Sequence, residues 1–412
     1  MRVLLSTIGS RGDVQPLVAL ATQLLALGQE VRLCVPPDFR AWIEGLGMPV
    51  TPIGPEVRKL VAAAAPAAAT KPMSFTPEQR RQMVEGTVAA QFETLTTVAH
   101  GCDVIVAANA LQIAARSVAE KHGITYVFAA YSPNVVPSPH HAPPPTPIPG
   151  QPPASATTDT NELWARDTER FNVTWGALLN ARRASMGLAP VDDVRGHILG
   201  DQPWLATDPT LAPWPDPADD AVFQSGAWIL PDERPLSGEL EAFLDAGAPP
   251  VYFGFGSMRA PHDLAQVMIH SARALGRRAI VSRGWADLSV ADETTDCLAI
   301  DDVNLQALFT RVAAVVHHGG AGTTHVAALA GAPQVIIPQI YDQHYWARRI
   351  DDLAIGCTHA PGAPTAESLT IALDRALGEA IAARARSIAA AVRRDGARIA
   401  AERVVTLGSA GG

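Results

Sequence analysis

At 412 residues, with 48% hydrophobic and 18% charged residues, the chain is long enough for two domains and too apolar for global disorder. Its 32 basic against 41 acidic residues give a formal charge of −9, which argues against a nucleic-acid footprint but leaves room for a bound nucleotide. The three lysines are Lys59, Lys71 and Lys121, so the second half can host neither a Walker-type phosphate lysine nor a Schiff-base lysine.

The first apolar run, Arg2–Thr7, reads as a strand. The turn Gly9-Ser10-Arg11-Gly12-Asp13 follows it, and residues 14–27 have helical spacing, with Val14, Leu17, Val18, Ala21, Leu24 and Leu25 on one face. Asp13 either caps that helix or presents a carboxylate at a strand end, where it could act as a general base. No leader segment precedes the first strand and no run of about 20 uncharged apolar residues occurs, so a cytoplasmic protein without a membrane span is expected. Further strands fall at Glu30–Val35, 103–107 and 125–129. Cys34, Cys102, Cys297 and Cys357 lie far apart, which predicts buried free thiols and no metal site.

Residues 133–153 hold ten prolines in 21 positions and can be neither helix nor central strand. They form either a plain solvated loop or a loop beside a substrate cleft, and His140 and His141 within them are either exposed or touch an acceptor. Helical pattern resumes over 163–186, and a Pro/Asp-rich stretch at 212–220 suggests a linker. The expected division is 1–214, a linker at 215–225, a second domain at 226–380, and a helix and tail at 381–412 that packs back toward the first domain. A single amphipathic helix is expected over 381–405.

The second half repeats the alternation, with strands at 251–255, 278–282, Cys297–Ile300, 312–316 and 334–338 and helices at 263–275, 323–330 and 344–353. Two doubly wound α/β domains with a cleft between them follow, and ligands bind beyond the carboxyl ends of such strands. The turns there carry the chemistry. His317-His318-Gly319-Gly320-Ala321-Gly322-Thr323-Thr324 leads from a strand into a helix, and its free amides and side-chain donors suit a phosphate. The alternative is a turn that only closes helix–sheet packing. Asp342-Gln343 offers acceptors and donors for vicinal hydroxyls, unless Asp342 simply caps the next helix. Gly254-Phe255-Gly256-Ser257 lacks the third glycine of the dinucleotide fingerprint, because Arg259 stands there, but still admits a phosphate. Ser282-Arg283-Gly284-Trp285 puts an indole at the same rim, either stacked on a base or packed as ordinary rim.

Together these turns resemble those of the family 1, nucleotide-sugar-dependent natural-product glycosyltransferases of the GT-B fold, which has two Rossmann-like domains. Residues 226–236 and 282–288 look most like the glycopeptide-antibiotic (vancomycin-type) enzymes of actinobacteria. The resemblance spans essentially the whole chain and implies inverting transfer from a TDP- or UDP-sugar to an acceptor hydroxyl, without a catalytic metal or other cofactor. It makes Asp13 the base. It assigns the diphosphate to Ser10, Arg11, Ser257, His317, His318 and Gly319 to Thr323, the nucleobase to Trp285 and Val303, and the donor sugar to Asp342 and Gln343. A monomer is the default. An epimerase or hydrolase on the same scaffold is the alternative, and a non-enzymatic nucleotide-sugar binder a third.

Overall fold

Two parallel sheets organise the residues that the computed structural model describes, namely 1–63, 76–109, 111–146, 158–216, 220–258, 263–288, 295–360 and 363–410. The first sheet contains β1 (Arg2–Thr7), β2 (Glu30–Val35), β3 (Val50–Pro52), β4 (Val104–Ala108), β5 (Thr125–Ala130), β6 (Trp204–Leu205) and β7 (Phe223–Gln224). Their order is β3-β2-β1-β4-β5-β6-β7. The second contains β8 (Val251–Gly254), β9 (Ala279–Ser282), β10 (Cys297–Ile300), β11 (Ala314–His317), β12 (Gln334–Ile336) and β13 (Gly356–Thr358), in the order β10-β9-β8-β11-β12-β13. Strand order reverses between β1 and β4 in one sheet and between β8 and β11 in the other. Such reversals splay the flanking turns and leave a crevice at the strands' carboxyl ends.

Both faces of these strands are covered, which is why they read as near-continuous apolar runs. In β8, Val251 and Phe253 enter one buried cluster with Val281, Val316 and Val335, while Tyr252 joins Ile280, Val315 and Phe309 on the other face. In the first sheet, the helix Arg11–Ala26 buries Val14, Leu17, Val18, Leu20, Ala21 and Leu24. It starts three residues earlier than its apolar pattern suggests. Ser10 takes the N-cap position, and Asp13 sits in the first turn with its carboxylate returned to the Ser10 N–H at 2.7 Å.

The chain divides into two compact units. One comprises Met1–Leu60, Met73–Leu230 and Arg393–Gly412, and the other is built on Pro231–Val392. The crossover therefore falls after Leu230 and not at 215–225, because Phe223 and Gln224 pair with Trp204 and Leu205 as the last strand of the first sheet. The closing segment also differs from the single helix expected. It is two helices, Glu379–Ala389 and Gly396–Ala410, and the second packs on Arg11–Ala26 in the first unit. Between the two helices the Arg393 N–H donates to the Asp208 carboxylate at 2.7 Å. Among the described residues no helix is long and apolar enough to cross a membrane.

Gly396 starts the returning helix against the backbone of Gly226 and Ala227. A Cβ at 396 would lie within 2.5 Å of the Ala227 carbonyl oxygen, with no flexible side chain to yield. Gly396→Ala is therefore expected to destabilise the first unit by about 2 kcal/mol, measured as a lower denaturant midpoint at unchanged slope.

Candidate active site

In the first unit three polar residues gather at the carboxyl edge of adjacent strands. Asp13 lies in the first turn of the helix after β1, Asn109 follows β4 directly, and Tyr131 follows β5. The Asp13 carboxylate is half-buried and receives donors on both oxygens. Asn109 Nδ2 donates to Oδ1 at 2.8 Å and the Ser10 N–H donates to Oδ2 at 2.7 Å. The Tyr131 hydroxyl donates to the Asp13 backbone carbonyl at 3.1 Å. Burial raises the Asp13 carboxyl above its ordinary value, opposed chiefly by the Asn109 donor and then by Ser10. Arg11 is not turned to the same point. Its guanidinium lies over the Trp42 ring at 4.4 Å and its Nε donates to Gln15 at 3.0 Å.

In the second unit four turns emerge side by side from β9, β8, β11 and β12, which are neighbours in that order. They carry Trp285, Ser257, His318 and the Asp342-Gln343 pair. The Trp285 N–H donates to the Gly256 carbonyl at 2.8 Å, which ties the turn after β9 to the turn after β8. The helix Ala321–Leu329 begins at the turn after β11, with Gly320 as its N-cap. Its first amides have no intrahelical acceptor and present positive charge density.

The two histidines of this turn have different positions, which the sequence does not distinguish. His317 is fully buried. Its Nδ1 accepts from the Gly319 N–H at 3.1 Å, so Nε2 carries the proton and donates to Gln334 Oε1 at 2.9 Å. Burial, with His318 adding to it, pushes this imidazole down to about 3. Both nitrogens are engaged inside the fold, so His317 braces the turn and has no nitrogen left for a diphosphate. His318 is half-exposed. Its Nδ1 is buried without a partner among the described residues, and burial lowers its pKa to about 4. Gly320 leaves room for this ring, because a Cβ there would come within 2.6 Å of His318 Nε2. The Thr324 hydroxyl donates to the Gly320 carbonyl at 3.0 Å, whereas Thr323 is half-exposed in the first helical turn.

Asp342 holds the N-cap position of Gln343–Asp352 but makes no side-chain capping bond. Instead its Oδ2 accepts from the Trp346 indole N–H at 3.2 Å. Gln343 is buried, and its Oε1 accepts from the N–H groups of Gln339 and Ile340 at 2.7 and 3.1 Å. Its Nε2 faces Met258 Sδ at 3.5 Å, so Gln343 shapes the turn that presents Asp342. Ser257 and Trp285 are half-buried at their strand ends. Val303 packs its side chain against the Tyr252–Phe309 cluster, so it is partly core.

The chain matches the glycosyltransferase family 28 N-terminal domain over residues 3–138 and the erythromycin biosynthesis protein CIII-like C-terminal domain over 287–402. It is 52% identical to glycosyltransferase GtfE of Amycolatopsis orientalis, across 98% of this chain and 96% of that protein. It is 49% identical to the vancomycin aglycone glucosyltransferase of the same organism, across 97% and 96% of the two chains. The chain belongs to the vancomycin-type glycosyltransferases. The crystal structure of the glycotransferase of kitacinnamycin superposes with a TM-score of 0.71 at 18% identity, covering 98% of each chain, which shows the shared GT-B fold.

In this glycosyltransferase the proline-rich segment is anchored and not a plain solvated loop, as far as residue 146; residues 147–153 lie outside those described. The Trp164 indole N–H donates to the carbonyls of Ser138 and His141, each at 2.9 Å. The His141 ring packs edge-on against Trp164 and Trp214 at 6.1 and 5.7 Å between centroids, and its Nε2 meets the Val136 carbonyl oxygen at 3.0 Å. His141 is thus an anchor of the loop, while His140 is exposed. Sequence reasoning missed Asn109, Tyr131 and Gln334. For Asn109 the usable signal was present, since it is the first polar residue after an apolar strand run.

Proposed function

We propose that this glycosyltransferase moves one hexose from a TDP- or UDP-sugar to a hydroxyl of a glycopeptide aglycone, with inversion at the anomeric carbon and without a catalytic metal. The observation that carries the proposal is a pair of strand-end sites of opposite character in one chain. One holds a carboxylate between donors from Ser10 and Asn109 after β1, and the other opens a helix N-terminus beside an imidazole whose Nδ1 has no partner among the described residues, after β11. The glycopeptide acceptor is supported by the 49% identity to the vancomycin aglycone glucosyltransferase.

The acceptor oxygen attacks the anomeric carbon as its proton passes to Asp13, and the bond from that carbon to the diphosphate oxygen breaks. The electron pair leaves with the diphosphate. An aspartate is a weak base, so it takes the proton as the new bond forms and not beforehand. The amides of Ala321, Gly322 and Thr323, with His318, would stabilise the departing charge that a divalent cation carries in other transferases. Ser257 would approach the same phosphates, Trp285 the base, and Asp342 the sugar hydroxyls. A single displacement needs no second carboxylate, in contrast to retaining hydrolases. The enzyme would act in the cytoplasm as a monomer, which its gel-filtration volume checks. The relatives named above are transferases, and nothing supports the epimerase or hydrolase alternative.

The decisive experiment crosses TDP-glucose and UDP-glucose with a glycopeptide aglycone and with unrelated hydroxylated natural products, read by mass spectrometry. A gain of one hexose on the glycopeptide alone is expected. Gain on another scaffold would discard the glycopeptide acceptor, and donor cleavage without any acceptor product would discard transfer.

A further inference from the structure

Beyond the base itself, we propose that Asn109 is the positioning residue of the transfer, holding the Asp13 carboxylate with one oxygen turned to a fixed neutral donor. Asn109 has this role only if Asp13 is the base, as proposed above. Asn109 is at the carboxyl end of β4, beside β1 at the point where strand order reverses. Its backbone is left-handed, with φ +79°, a conformation that asparagine tolerates better than most residues. The side-chain amide cannot be turned over. Its Oδ1 accepts from the Leu111 N–H at 2.9 Å, and because that partner is a donor only, Nδ2 must face Asp13. The turn is closed by the Gln112 N–H donating to the Asn109 carbonyl at 3.2 Å. It is also tied to β1 through the Ser6 hydroxyl, which donates to Gln112 Oε1 at 2.8 Å.

The Asn109 amide on Oδ1 and the Ser10 N–H on Oδ2 fix the plane of the carboxylate, and Oδ1, with no second donor among the described residues, keeps a lone pair for a substrate proton. A neutral donor also keeps the base ionised without neutralising it, as an arginine would. The surrounding groups are few among the described residues. Tyr131, after β5, contacts the Asp13 carbonyl, and burial followed by the Asp13 charge raises its phenol well above the ordinary value, so it stays protonated. Arg11, on the same helix, is stacked on Trp42. Ser10 contributes its N–H and, at 3.4 Å, its hydroxyl. Among the described residues no other donor competes with Asn109 for the contact to Oδ1.

The test is the pH dependence of kcat/KM for the parent, Asn109→Gly and Asn109→Asp, with unfolding temperature and TDP binding measured on each. Glycine accepts the left-handed backbone and removes only the amide. Asparagine and aspartate have the same shape, but aspartate replaces the donor by a second carboxylate, and two carboxylates so close share a proton. Asn109→Gly is expected to lower kcat by about 10- to 100-fold with KM within about twofold, and to move the acid limb to higher pH. Asn109→Asp is expected to move that limb further up. TDP binding stays unchanged in both. Acid limbs that overlay the parent in both variants would overturn the positioning role. Asp13→Asn separates the two proposals. If it transfers sugar at the parental rate, the base assignment falls and the role of Asn109 with it. If it is inactive while the Asn109 variants match the parent, only the role of Asn109 falls.

Discussion

Asp13→Asn is expected to lower sugar transfer by about a thousandfold, with TDP affinity within about twofold of the parent. The substitution keeps the shape of the side chain and removes its ability to accept a proton. It also leaves one amide oxygen where two carboxylate oxygens stood, so either the Ser10 N–H or Asn109 Nδ2 loses its acceptor. That costs about 1 kcal/mol of stability, too little to unfold the domain and so too little to account for the rate. In the parent, burial sets the Asp13 carboxyl above its ordinary value. Because the working form is the carboxylate, kcat/KM falls as pH drops through that raised pKa, and it is flat above it. Calorimetry with TDP, the mass-spectrometric transfer assay and a pH profile together check these expectations. Transfer at the parental rate would place the base elsewhere.

Much of the fold was legible because parallel strands buried on both faces are written as apolar runs bounded by polar turns. Arg2–Thr7, Glu30–Val35 and Cys297–Ile300 have the boundaries that their composition predicts. The start of the first helix was harder, because Ser10 and Asp13 are both good capping residues and only their geometry shows that Ser10 caps while Asp13 turns back to it. The closing segment misled because alanine and arginine favour helix, whereas the Arg393–Asp208 contact found at the break joins residues far apart in sequence. The site divides in the same way. Turn motifs after strands were readable as motifs, since glycine and threonine at a helix start have a local meaning. Which strands lie side by side was not, and Asn109 matters only because β4 lies beside β1. The same limit applied to Gln343, whose buried amide is spent on its own turn and on Met258, and to His317.

The adjacent histidines yield the second large effect, and they separate folding from chemistry within two residues. His318→Ala is expected to weaken TDP binding about tenfold and to lower kcat by about a hundredfold, with little change in unfolding temperature. His317→Ala should do the reverse. It leaves the Gly319 N–H and Gln334 Oε1 unpaired in a dry interior, costing about 2 to 3 kcal/mol, and activity should fall only as the turn loosens. The chemistry at 318 can be tested more finely. With its pKa held to about 4 by burial, His318 is neutral at pH 7 in the free enzyme, so it would meet the diphosphate as a neutral donor. An amide placed near Nδ1 is also a neutral donor, and His318→Asn should recover roughly a tenth of the parental kcat where His318→Ala does not. Equal losses in the Ala and Asn variants would mean that the imidazole contributes shape alone. Loss of catalysis without loss of stability in His317→Ala would reverse the two assignments, because an imidazole engaged at both nitrogens has no means of touching the leaving group.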